Sequence, residues 1–256
     1  MQLDPERYEA FWRRGWTVVK RVFCGEQVDR IAARVDLICD EMIDEVADSR
    51  FLADRSDDGQ VAPRKIGTPF FKHPDLRTFA LSPTLRSLIE QLIGKVPLMN
   101  FDQVFMKPPH FRSVKPCHQD NAYFLCHPAD EVITAWIALD DVDESNGCLR
   151  YIDGSHRGPI LEHEPAPDDP HNLVPAAEKM DMAQEAPACV GKGGVVFHHS
   201  KTLHTSRRNE SDRWRRAYAT HWCSGDVTSE SDIIRNAYFN AHSDLYDEAL
   251  HAAQED

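Results

Sequence analysis

The stretch KPCHQDNAYF, set between two apolar runs, places a histidine and an aspartate on alternate residues, and a further candidate histidine follows 86 positions later in GGVVFHHSKTLHTS. In an extended segment, the period of two directs the His118 imidazole and the Asp120 carboxylate to one side and Gln119 to the other. Bringing His204 beside that pair requires the intervening chain to fold back through several strands, so the HxD…H set constrains the architecture before composition is considered. Two imidazoles and one carboxylate on one face of a metal leave the other face open, which is what an oxygen-activating non-haem Fe(II) centre requires. Cys117 would face the other way in a strand, and its thiolate would bias the site towards zinc, so it is left out of the set. A lone HxD also fits a surface histidine and aspartate at a turn, and the reading therefore depends on the surrounding sequence.

The first third reads as helical. Asp4 caps a helix with Pro5 in its first turn, ending near Gly15. Trp16, Val18 and Val19 suggest a short strand. Val28, Ile31, Val35, Ile38 and Met42 then recur at spacings of three and four on a longer amphipathic helix. The polar, acidic stretch from Ala53 to Gly59 reads as a loop. Helices begin again at His73-Pro74-Asp75 and at Ser82-Pro83, the latter with Leu85, Leu88, Ile89 and Leu92 as its buried stripe up to Gly94.

After Gly94 the period changes. VPLMNFDQVFMKPP, CHQDNAYF, EVITAWIALDDV, GCLRYIDGSHRG, Gly191 to Phe197 and Arg213 to Trp222 read as short strands separated by turns. The expected fold is mainly β with flanking helices, its core a double-stranded β-helix of jelly-roll, cupin-like type. It is expected as a single oxygenase domain over 1–256: an N-terminal helical region, 1–94, packed on a β-helix core of about 95–225, with a C-terminal cover 226–256 that includes Tyr238, Phe239 and Tyr246. Residues 158–188, rich in Pro, Asp, Glu and His, are too long for an ordinary connector and are expected to form a substrate-side cover. Their His163, Glu164, Asp168, Asp169 and His171 would attract a cationic or amine-bearing substrate.

The formal charge of −13 over 256 residues argues against nonspecific nucleic-acid binding and against an anionic membrane surface. No apolar run approaches a membrane span, and MQLDPERYEAFWRRG has acids where a signal peptide would be basic and then apolar, so a cytoplasmic location is expected. Seven cysteines without a CxxC pair are expected to be reduced thiols.

A bidentate 2-oxo acid on the metal would need a cation for its remote carboxylate. Arg215, eleven residues after His204, offers a rigid guanidinium fork and Ser206 a hydroxyl. In RWRRAYAT, alternation puts Arg213, Arg215 and Ala217 on one face and Arg216 on the other; which face is inner stays open between Arg215 and Arg216. Gln103 and Lys107 on the preceding strand, and Asn121 and Tyr123 after the HQD segment, are candidate pocket residues. His198, His199 and His156 read as hydrogen-bonded wall or structural residues, and Asp140 to Glu144 as a solvated turn.

HQD with its aromatic sequel, TAWIALDDVDESNGCLRYIDGSHRG, GGVVFHHSKTLHTS and RRA, in this order, resemble the phytanoyl-CoA dioxygenase family of Fe(II)- and 2-oxoglutarate-dependent oxygenases over roughly residues 5–225. The resemblance implies iron held by His118, Asp120 and His204, with Arg215 gripping the distal carboxylate of 2-oxoglutarate and Ser206 beside it. Gln119 and Trp136 match pocket residues near the co-substrate. No protein side chain beyond the metal ligands is assigned a catalytic role. The carboxylate at 120, where related halogenases carry a small residue, implies hydroxylation of a C–H bond with O2 as co-substrate and release of succinate and CO2. Asp153-Gly154 stands where the family usually has Pro-Gly, for which only a change in turn rigidity is expected. The substrate is expected to be a small molecule such as an amine, an amino acid or a secondary metabolite. Two rivals use the same residues otherwise: a cupin-like hydrolase or isomerase with Zn or Mn, and a non-catalytic small-molecule-binding module.

Overall fold

The computed structural model describes residues 1–49, 52–56, 58–111, 113–167, 169–235 and 243–255. Asp4 caps the helix Pro5–Arg14 by accepting from the Glu6 amide, and Gly15 closes it at φ 86°. A side chain at Gly15 would also meet Thr202 Oγ1 and the His156 ring, so glycine is required there twice over. The helix Gly25–Val46 buries Val28, Ile31, Val35 and Ile38, with Met42 packed at the margin. Pro83–Ile93 buries Leu85, Leu88, Ile89 and Leu92, capped by Ser82 and ended by Gly94 in the left-handed region. The acidic stretch after Ala53 is not simply a loop: Ala53–Arg55 and Val61–Pro63 pair as a small antiparallel hairpin, with the acidic residues towards its tip.

Two sheets carry the site. The larger has six strands in the order Trp16–Val19, Val195–His199, Val132–Ala138, Arg215–Ser224, Pro97–Lys107, Lys65–Gly67. The smaller has four, in the order Glu185–Ala188, Leu149–Ile152, His204–Ser206, Lys115–His118. Both edge strands of the larger sheet come from the first 94 residues. The helices cover its outer face, where Phe11, Val28, Val35, Phe70, Leu76, Leu88 and Trp222 belong to one buried cluster. Between the sheets, Trp16, Trp136, Leu149, Tyr151, Val196 and Ala217 form a second. Val132–Ala138 is buried at every residue because it has core on both faces, which is why its sequence alternates so little.

These sheets overturn the jelly-roll expectation. Each is open, with two unpaired edges, and among the described residues no strand ladder closes a barrel or a curled double-stranded β-helix. The fold is mixed α/β, with layers of helices, six-stranded sheet and four-stranded sheet. Strand spacing in the sequence reveals how many short strands there are, but not whether the last pairs with the first, and the helical layer here is as much a core-former as the sheets.

Residues 158–188 hold more structure than their composition indicates: a hairpin of His163–Ala166 and Asp169–Pro175, two single turns, and the edge strand Glu185–Ala188. The helix Ser243–Glu255 buries Tyr246, Ala249 and Ala253 in the helix-covered cluster, and the Tyr246 hydroxyl accepts from the Met99 amide at 3.2 Å. Tyr238, Phe239 and Asp168 lie outside the described residues.

Candidate metal centre and cavity

His118 ends the strand Lys115–His118 and sits opposite His204, which opens the neighbouring strand. Asp120 reaches the pair differently from the expected extended run. The chain leaves the strand at Gln119 and turns helical at Asp120, with φ −56° and ψ −38°, ahead of the short helix Asn121–Phe124. A strand-to-helix turn, not strand alternation, therefore brings the carboxylate to the imidazoles. The turn is held by Gln119, whose amide donates to Pro159 O and Lys201 O and accepts from the Leu161 amide.

The nitrogen and oxygen donors of His118, Asp120 and His204 lie within 4.8 Å of one another. Each histidine donates Nδ1–H to a carbonyl two residues earlier, Pro116 O and Thr202 O, both at 2.9 Å. Since a carbonyl only accepts, the lone pair of each ring is at Nε2, and these atoms stand 3.5 and 3.6 Å from Asp120 Oδ1. Asp120 Oδ2 is occupied by hydrogen bonds from Thr134 Oγ1 at 2.7 Å and His198 Nε2 at 3.0 Å. His198 is in turn held by the Tyr151 hydroxyl at 2.8 Å. Burial foremost, then Lys115, pushes His118 down to about 4, and burial with His118 beside it holds His204 well below the usual range. Burial opposes ionisation of Asp120, yet the surrounding imidazoles hold its carboxyl below the usual carboxylate range. Two neutral Nε2 lone pairs and one carboxylate oxygen, each fixed by a bond at its other atom, fit a divalent first-row cation.

The three donors line a cavity of about 670 Å³, a size suited to small molecules. Arg215 reaches it from the six-stranded sheet, buried, with its guanidinium 5.5 Å from the Trp136 ring. Its Nε has no hydrogen-bond partner, and no ion pair to a carboxylate forms among the described residues. Burial lowers Arg215 to about 10, which leaves it charged at neutral pH. Arg216 faces the helices instead and pairs with Asp140 at 2.7 Å and Asp36 at 2.6 Å.

Ser206, Trp136, Gln103, Lys107 and Tyr123 also line the cavity; Gln119 and Asn121 do not. Lys107 is spent structurally, its ammonium donating to the carbonyls of Ser113, Ser206 and Arg207. Asn121 closes the turn onto Cys126 through both ends of its amide. His199 and His156 pack beside the first helix, away from the metal ligands. Sequence reading missed Arg64, Lys65, Lys115, Asn172, Asn100, Thr134 and His221 in the wall. His221 was within reach, being on the Arg215–Ala217–Ala219 face of its strand. Arg64 and Lys65 were not, because nothing local ties that short strand to a site begun fifty residues later.

A 2-His-1-carboxylate face opening on a cavity with a buried cation defines a mononuclear non-haem metal oxygenase centre. Comparison with known proteins then identifies the lineage. The family described as Phytanoyl-CoA dioxygenase (PhyH) matches residues 11–217, and the chain belongs to it. It is an Fe(II)- and 2-oxoglutarate-dependent dioxygenase. "Phytanoyl-CoA dioxygenase, peroxisomal" of Mus musculus is 25% identical over 256 residues, covering 91% of this chain and 74% of that protein. "Phytanoyl-CoA dioxygenase domain-containing protein 1" of Rattus norvegicus is 32% identical over 162 residues, 61% of this chain and 56% of that protein. The alpha ketoglutarate dependent carbocyclase SnoK from nogalamycin biosynthesis superposes with TM-score 0.71 at 25% identity, covering 94% of this chain and 91% of that one. EvdO2 from Micromonospora carbonacea var. aurantiaca, in its complex with 2-oxoglutarate, shares the fold with TM-score 0.72 at 23% identity, covering 91% and 95%. The cytoplasmic expectation is overturned: the mouse and rat relatives are peroxisomal by name. Its grounds were the lack of a membrane span and of a signal-peptide pattern, and organelle addresses are short receptor-read motifs about which neither says anything.

Proposed function

We propose that this dioxygenase binds iron through His118 Nε2, Asp120 Oδ1 and His204 Nε2, and binds 2-oxoglutarate with its distal carboxylate on Arg215. The observation that carries this reading is the buried guanidinium without a carboxylate partner, in the same cavity as the three donors. A buried cation with an unmet donor is a poor structural element and a good anion site. Trp136 supports the guanidinium face, and Ser206 lies on the wall beside it. When bound, iron supplies the activation of dioxygen that couples decarboxylation of 2-oxoglutarate to hydroxylation of substrate. The chain contributes orientation: His198 and Thr134 keep the Asp120 carboxylate turned with Oδ1 towards the imidazoles.

The substrate is a small molecule, and the wall favours one bearing an anionic group over an amine. Arg64, Lys65 and Lys115 line the cavity apart from Arg215 and Lys107, whereas Asp120 is its one carboxylate among the described lining residues and is committed to the metal. From the hairpin, Asp169 meets Arg64 at 3.9 Å and offsets part of this charge, while His171 and Asn172 are the residues it offers to the cavity wall. Net charge of the chain was a poor guide to its pocket.

Calorimetry of anaerobic, iron-loaded protein with 2-oxoglutarate tests the reading. Arg215→Leu should weaken binding by about 2–5 kcal/mol, the usual loss when one partner of a desolvated charge pair is truncated, with iron affinity nearly unchanged. Unchanged 2-oxoglutarate affinity in that variant would move the clamp elsewhere, and zinc- or manganese-dependent turnover without 2-oxoglutarate would favour the hydrolase or isomerase.

A further inference from the structure

Across the antiparallel pair of Pro97–Lys107 and Arg215–Ser224, Phe101 faces His221 but Met99 faces Trp222, so Asn100 is an extra residue in a β-bulge. Phe101, Gln103, Phe105 and Lys107 reach the cavity by ordinary alternation, and the bulge adds Asn100 out of phase beside them. The His221 ring on the partner strand lines the same wall, stacked on Phe101 and edge-on to Phe124.

The tautomer of His221 follows from its neighbours. The Thr134 hydroxyl has one proton, which it donates to Asp120 Oδ2 at 2.7 Å. Its contact with His221 Nδ1 at 2.8 Å must then be an N–H donated by the ring. That leaves Nε2 as a lone-pair acceptor, buried and without a partner. The amide of Asn100, also buried, has no partner on its oxygen or on its nitrogen, so its oxygen is a second unmet acceptor. Two orphaned acceptors at one bulge in a cavity wall are unusual, because buried polar groups are nearly always paired.

We propose that the bulge is the anchor for a substrate hydroxyl, which donates its hydrogen bond to His221 Nε2, with Asn100 Oδ1 as the second acceptor for a further donor of the same molecule. This rests on the oxygenase reading above and narrows its substrate class to hydroxyl-bearing molecules. A hydroxyl fits better than an ammonium. Besides Asp120, whose charge the metal offsets, the charged and titratable groups acting on His221 are Lys65, His118 and His198, and Lys65 repels a second cation. Through His221 Nδ1–H and Thr134 the bound hydroxyl is linked to Asp120, so the anchor fixes substrate relative to a metal ligand. His221 is thus a binding and positioning residue.

The test uses protein labelled with 15N-histidine, loaded with diamagnetic Zn(II), with and without 2-oxoglutarate. Ring nitrogens are read by long-range proton–nitrogen correlation, His221 being assigned by its loss in His221→Gln. The expected ring carries its proton on Nδ1. Cyclohexanol should shift Nε2, and methoxycyclohexane, which has no O–H, should not. His221→Phe should weaken cyclohexanol binding by up to about tenfold, and Asn100→Leu should weaken cis-1,2-cyclohexanediol, which carries the second O–H, by a similar factor while leaving cyclohexanol nearly unchanged, as loss of one hydrogen bond allows. A ring protonated at Nε2, an Nε2 signal indifferent to cyclohexanol, or equal responses to the two compounds would overturn the proposal, and the wild-type readouts need no variant to fold. Failure of the 2-oxoglutarate reading appears separately, as absent 2-oxoglutarate binding with the His221 response intact.

Discussion

Asp120 divides its work between two oxygens, one turned to the imidazoles and the other tied to Thr134 and His198. Asp120→Ala removes the ligand and also strands two buried hydrogen-bond donors. Iron binding and succinate formation should be nearly abolished while far-ultraviolet circular dichroism stays native, since the residue lies on a turn outside the main core clusters. Wild-type iron stoichiometry in the variant would sink the assignment. Lys65 supplies a pH handle on the cavity. Burial first, then Lys115 and Arg64, lowers it to about 7, so it is charged below that pH and neutral above it. An anionic substrate binds the charged form, and KM should be low near pH 6 and rise as pH passes through 7 to 8. Lys65→Met should raise KM at pH 6 and flatten the profile, whereas a KM that falls with rising pH would point to a cationic substrate.

At the scale of elements, the segment after Gly158 is bound to the site by named contacts. The Tyr123 hydroxyl accepts from the Leu173 amide at 2.7 Å and from Lys115 at 3.0 Å, and Lys115 also donates to Asn172 at 2.7 Å. His163 Nε2 accepts from the Gln119 amide at 3.1 Å. Hence the same turn that presents Asp120 holds both ends of the hairpin. Tyr123→Phe should speed exchange of the Leu173 amide by roughly tenfold, the loss of one hydrogen bond from local protection, without moving the global melting point much. Substrate added to the iron and 2-oxoglutarate complex should slow exchange across 161–175 if this hairpin is the cover, and identical exchange in both states would make it scaffold only. Asp153, where the family usually has proline, does more than change turn rigidity: its carboxylate takes Arg14 Nε at 2.8 Å and Trp16 Nε1 at 2.7 Å, pinning the first helix to the turn.

For the whole molecule, the layers divide labour. The helix-covered cluster is remote from the metal and carries most large buried side chains, while the space between the sheets holds the smaller cluster and the polar site. Buried imidazoles and cations in that space weaken the fold until ligands compensate them. Metal and 2-oxoglutarate, each binding only the folded chain, should therefore raise stability. A ligand at a hundredfold excess over its Kd adds about 2.7 kcal/mol, which for a chain of this size corresponds to roughly 5–10 °C in the melting temperature. Differential scanning calorimetry with and without chelator checks this, and a melting point indifferent to Fe(II) would argue against a site formed by folding.

The sequence by itself determined what depends on neighbours in the chain. The caps at Asp4 and Ser82, the stripes of the long helices, the existence of the main strands and the His118-x-Asp120 pair are local patterns, His204 was added as the donor that completes the set, and the metal chemistry follows from the donor types. Alternation left Arg215 and Arg216 open and the family resemblance chose Arg215, whereas sheet closure, the helical turn under Asp120 and the spent ammonium of Lys107 came only from tertiary structure. So did the bulge that sets Asn100 beside His221, and the lysines that make the cavity basic inside an acidic chain. In each case the deciding quantity is which backbone atoms pair across distant strands, a long-range energy that no window of sequence contains. A one-residue change in that pairing moves a side chain from one face of a sheet to the other.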